Sequence, residues 1–298
     1  MSDQSGGTGR TNRVVVGIDG SKQAQTALDR AVLEARARKA ELEVLCGAGW
    51  PKRSAVPVTE TDTEWLRRAA AEVVDAAVAR VRERAPELDV FPRVESKSGA
   101  ADALVEASRT AALTVVGTRG HGGFAGLLVG SVSLRAAAHC QGPLMVVGGE
   151  RSVEEATARG TVLVGVRSPA ETETVRFGFD EAQRTGSTLR VLHAWSRPPM
   201  PPNIPVPPSE DAGARQAATE LVRAAVAPLR EQYPDVRVKG REQSGPPAAT
   251  LIEATRAADL VVLTTPRRRQ RRLGLQLGPV VHAVLHHAHC PVVLVPAD

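Results

Sequence analysis

Cysteine, aromatic residues and long apolar runs are all scarce in this chain, and each scarcity removes a class of function. The three cysteines, Cys46, Cys140 and Cys290, have neither paired nor metal-type spacing. That excludes a disulfide-stapled fold and points to a reducing, cytoplasmic setting. Aromatics make up only 3% of the residues, too few to supply the stacking platforms that hold single-stranded nucleic acid. No apolar run approaches the length of a membrane span. Residues 1–12, rich in Ser, Gly and Thr, have no apolar signal-peptide segment and are expected to be a disordered tail. Charge of one sign is also scarce outside a single stretch. The net charge of +5 equals the five arginines of RRRQRR: Arg267, Arg268, Arg269, Arg271 and Arg272. Elsewhere the chain is balanced, so there is no spread basic face, and neither nucleic acid nor a membrane is an expected partner.

What is present is a repeat. VVVGIDGS at 14–21 returns as VLVGVRSP at 162–169, and ALVEASRTAALTVV at 103–116 returns as TLIEATRAADLVVL at 250–263. A period near 148 residues with two copies signals a duplicated domain, not a solenoid. The expected domains are 13–150 and 161–298, joined by a short charged linker at 151–160. Within each copy, β-branched runs of strand length alternate with apolar residues at helical spacing, as at Ala24, Ala27, Leu28, Ala31, Val32 and Ala35. The pattern predicts an α/β class with two repeated doubly wound domains. Each would be a five-stranded, mainly parallel sheet in the order 3-2-1-4-5 with helices on both faces.

The stretch GTRGHGGFAGLLVGS at 117–131 then acquires a meaning. It follows the fourth strand and runs into the start of a helix, beside the loop GIDGS that follows the first strand. Ligands of doubly wound sheets bind at this reversal of strand order. Glycine lets a ligand reach main-chain N–H groups without meeting a Cβ, and a helix N-terminus favours an anion. The physical reading is a phosphate cradle. It is not a Walker loop, because no GKS or GKT follows, nor a Rossmann fingerprint, which belongs after the first strand.

The spacing Gly117, two residues, Gly120, nine residues, Gly130-Ser131 resembles the nucleotide motif of the universal stress protein family. GIDGS, GSVS and HAVLHHAHCPV resemble that family too, across nearly the whole chain in tandem. The resemblance implies ATP, with or without Mg, one per chain in the first domain. Gly117, Gly120, Gly130 and Ser131 would hold ribose and phosphates, and His121, Gly122 and Gly123 would form the covering loop. Val132 and Ser133 would add N–H and hydroxyl donors. Gly17 and Asp19 would border the nucleoside, with Asp19 accepting from ribose or adenine, and Gly47 would offer backbone to the adenine edge. It also implies pairing of the two copies through their last strands into an internal pseudo-dimer, with further homodimerisation open.

The second copy departs from the motif. Arg167 stands at the place of Asp19, Thr264 or Thr265 at that of Gly117, and Pro279 at that of Ser131, removing a hydroxyl and an N–H. A degenerate, non-ATP domain is expected there. Three functions compete: an ATP-binding regulatory module, a slow ATPase or autophosphorylating enzyme at the same site, and a polyanion binder through Arg267–Arg272. The first is preferred, because turnover needs an aimed base, and only Asp19 and His121 stand near. His282, His286 and His289 fall at i, i+4 and i+7, but histidines near a helix C-terminus suit its dipole, and no metal is expected.

Overall fold

The computed structural model describes residues 11–49, 59–120, 129–148, 159–196, 208–266 and 277–297. The first copy runs β1 (Thr11–Ile18), α1 (Lys22–Arg38), β2 (Glu41–Gly47), α2 (Glu60–Arg84), β3 (Val90–Glu95), α3 (Ala100–Ala107), β4 (Ala111–Gly117), α4 (Ser131–His139) and β5 (Leu144–Val147). The second runs β6 (Thr161–Gly165), α5 (Thr172–Thr185), β7 (Thr188–Trp195), α6 (Pro208–Arg230), β8 (Val238–Ser244), α7 (Pro247–Thr255), β9 (Leu260–Thr265), α8 (Pro279–His287) and β10 (Val292–Pro296). The strand orders are β3-β2-β1-β4-β5 and β8-β7-β6-β9-β10, the doubly wound arrangement that the alternation of periods predicts. The chain separates into two compact units, the first holding β1 to α4 and the second β6 to β10, with the division falling inside β5 after Leu144.

Local chemistry sets the element ends. Ser21 caps α1 by accepting the Ala24 N–H at 3.1 Å, as a short hydroxyl side chain does at an N-cap. Lys39 closes the helix in the left-handed conformation, where its N–H reaches the carbonyls of Ala35 and Arg36. Thr59 and Asp62 form a reciprocal capping box at the head of α2. β1 begins at Thr11, two residues inside the stretch expected as tail, because the Thr11 N–H and hydroxyl both bond the Thr110 carbonyl. Residues 1–10 and most of the expected linker, 151–158, lie outside the described residues.

Val14, Val15 and Val16 are all fully buried, the mark of a parallel strand covered on both faces. Gly17 presses on α3 of one layer, and α1, which also packs on β1 and β4, belongs to the other. β1 pairs in parallel with β2 (Val16 opposite Val44) and with β4 (Val16 opposite Val115). This register brings the ends of β1 and β4 side by side, with α1 and α4 starting from that edge.

Candidate functional site

The loops after β1 and β4 meet at Asp19 and Gly120. Gly20 takes a positive φ of 83°, which turns the chain sharply after Asp19. The carboxylate Oδ1 of Asp19 accepts the Ser21 N–H at 3.0 Å, fastening the turn. A Cβ placed on Gly120 would lie 2.0 Å from Asp19 Oδ2, so the acidic side chain rests against the glycine backbone of the opposite loop. Asp19 is exposed, and Cys46, at the end of the neighbouring β2, feels it. Burial first, and then the Asp19 charge, push the Cys46 thiol up to about 11.

The other expected residues fall into two groups. Gly130, Ser131 and Val132 stand at the start of α4, with Ser131 and Val132 exposed; the first N–H groups of any helix lack an intrahelical acceptor. Gly17, Gly47 and Gly117 stand where elements pack closely. A Cβ on Gly17 would lie 3.0 Å from Leu104 of α3, one on Gly47 only 2.5 Å from the Ala100 backbone, and one on Gly117 2.8 Å from the Gln23 carbonyl of α1. Ser133 corrects its expected role: it is buried, and its hydroxyl donates to the Gly117 carbonyl at 2.6 Å. Its single O–H is thereby committed to joining α4 to β4, not to a phosphate. His121, Gly122 and Gly123 lie outside the described residues.

Comparison with known proteins places the chain in a family. The model described as the universal stress protein family matches residues 10–148 and again 158–296. The chain belongs to the universal stress protein family. A universal stress protein of Mycobacterium tuberculosis H37Rv is 33% identical over 294 residues, covering 94% of this chain and 95% of that one. Another from Mycolicibacterium smegmatis is 30% identical over 289 residues, covering 95% and 96%. Among solved structures, a universal stress protein from Archaeoglobus fulgidus superposes with a TM-score of 0.70 at 16% identity, covering 97% of this chain and 99% of that one. The fold is thus shared by proteins that have diverged far in sequence.

The second universal stress protein copy keeps the scaffold and places different side chains at the corresponding positions. Arg167, in the place of Asp19, donates from Nε (2.9 Å) and from its backbone N (3.0 Å) to the carboxylate of Glu171. That carboxylate is nearly buried while the arginine is 67% exposed, so the pair closes the loop on itself. Thr264, in the place of Gly117, shares a 2.7 Å hydrogen bond with Thr174 of α5, both hydroxyls buried. Ala194 stands in the place of Gly47, and the next residue, Trp195, donates from Nε1 to Glu242 at 3.0 Å. Pro279 opens α8.

Gln23, Ala100, Glu171 and Thr174 carry no motif, and sequence reasoning passed over them. Only Glu171 left a signal, four residues after Arg167, the spacing of an ion pair. Arg267–Arg272 lie outside the described residues. His289 is not on the α8 face, because the helix ends at His287; its N–H bonds Thr255 Oγ1 instead. Among the described residues no helix is long and apolar enough to cross a membrane, and no group of three His, Cys, Asp or Glu could hold a metal ion.

Proposed function

We propose that the first copy binds ATP in the crevice between β1 and β4, and that the chain acts as a nucleotide-responsive regulator in the stress response. The observation that carries this reading is the contact of Asp19 with Gly120 at the point where strand order reverses. It sets a carboxylate acceptor against bare backbone, with the exposed first turn of α4 tied alongside through Ser133 and Gly117. Asp19 would accept from a ribose or adenine donor. The Ser131 hydroxyl and the α4 N-terminus, with its partial positive charge, would face phosphate oxygens. Because the ligand binds the folded state, its occupancy would raise stability by mass action and favour whichever conformation a partner reads. The second copy is proposed not to bind ATP, since Thr264 fills the place of Gly117 and Pro279 has no N–H to offer.

Calorimetric titration of ATP into the intact chain and into Gly120→Val tests this. The expected result is one ATP per chain, with affinity at least about tenfold weaker in the variant, a loss of about 1.4 kcal/mol. A valine there must displace the Asp19 carboxylate. Two ATP per chain would overturn the account of the second copy, and no binding would overturn the reading altogether.

A further inference from the structure

The strongest unexplained cluster lies on α8. His282 and His286 are one helical turn apart, and their ring centroids are 4.5 Å from each other with the planes at 45°. We propose that these two imidazoles form a site for one divalent transition-metal ion of the Ni2+ or Cu2+ type. Imidazole nitrogens bind such ions at about 2.0–2.1 Å. Two rings sharing an ion at about a right angle then place their centroids roughly 4.5 Å apart, whereas a tetrahedral angle opens them to roughly 5 Å. The observed separation matches the right-angle arrangement, which suits square-planar or tetragonal ions over zinc.

Two further observations point to a ligand here. Nε2 of His286 is buried and has no hydrogen-bond partner, and buried polar atoms are rarely left so. An ion shared between the rings gives that nitrogen a partner. The corresponding first-copy positions are Leu134 and Ala138, so the pair is not repeated in the first copy. His287 lies 6.2 Å from His286, centroid to centroid, and is five residues from His282, off the shared face. No third protein ligand stands among the described residues. Water or a small exogenous ligand would complete the coordination, making the site exchangeable rather than a closed structural centre.

Equilibrium dialysis of the full chain against Ni2+ at neutral pH provides the test. One ion per chain is expected. His282→Gln and His286→Gln should each weaken binding by about tenfold or more, while His287→Gln should leave it within about twofold. Thermal unfolding without metal reports whether each variant folds, and Ni2+ should raise the midpoint only where both imidazoles remain. Should His286→Gln fail to fold, His282→Gln carries the test alone. Absence of saturable Ni2+ binding, or binding that survives His282→Gln unchanged, overturns the proposal.

Discussion

Gly17 and Gly165 hold the same place in the two copies, and each is pressed by a leucine methyl of the third helix, Leu104 or Leu251, that would lie 3.0 Å from an added Cβ. A second pair of contacts repeats as faithfully. Ser108 Oγ accepts the Gln141 N–H at 3.0 Å in the first copy, and Thr255 Oγ1 accepts the His289 N–H at 3.0 Å in the second. Each hydroxyl also donates back into its own helix, to Val105 or Ile252. The crevices, by contrast, share almost nothing. One has Asp19 against bare Gly120; the other has the Arg167–Glu171 clasp and a buried threonine pair. Contacts that serve the fold were kept in both copies, while those that would face a ligand survive in one. Packing and ligand binding are therefore separable demands in this unit, and glycine serves both.

The comparison can be broken most forcefully at Gly47. Gly47→Val drives a side chain into the Ala100 backbone, which cannot step aside, and should cost about 3 kcal/mol of stability by denaturant unfolding. Gly165→Ala meets only leucine methyls at 2.6 and 3.0 Å and should cost nearer 1 kcal/mol. Equal losses would mean that the Ala100 backbone yields as readily as the leucine methyls beside Gly165.

A smaller effect is expected at the acidic position. Asp19→Asn removes a charged acceptor, and ATP affinity should fall about tenfold with little change in stability. Conversely, Arg167→Asp combined with Thr264→Gly should leave the stoichiometry at one ATP per chain, because Pro279 still lacks the N–H. A second bound ATP would show that side-chain filling alone silences the second crevice.

Next come the shared clasps. Ser108→Ala and Thr255→Val should each cost about 1 kcal/mol, and by similar amounts, since both leave a backbone N–H unpaired. A loss confined to one copy would break the equivalence drawn here.

The smallest effect is alkaline. The folded-state pKa of Cys46 is raised to about 11 from an ordinary 9.0. Its contribution to stability is therefore complete below pH 9 and lost as pH rises through 11, because the unfolded chain ionises first. Cys46→Ala should flatten that part of the pH–stability curve measured by denaturant unfolding, and an unchanged slope would refute the shift.

The duplicated period, the alternation of strand and helix, the strand order and the position of the glycine loop were all legible in the sequence. Each follows from local rules, namely side-chain periodicity, β-branching, and the conformational freedom of glycine. The proposed silence of the second site likewise rests on Arg167 and Pro279, since the atoms missing from a residue type are missing in any fold. What the tertiary structure alone decided is how those residues are used. Ser133 looks like a phosphate donor until the Gly117 carbonyl is found 2.6 Å away. Gly47 carries no local sign of its neighbour, yet the Ala100 backbone lies 2.5 Å from where its Cβ would stand. A hydroxyl or a bare backbone atom has many possible partners, and which one it meets depends on elements brought together across tens of residues. No local pattern encodes that choice, because it is made by packing.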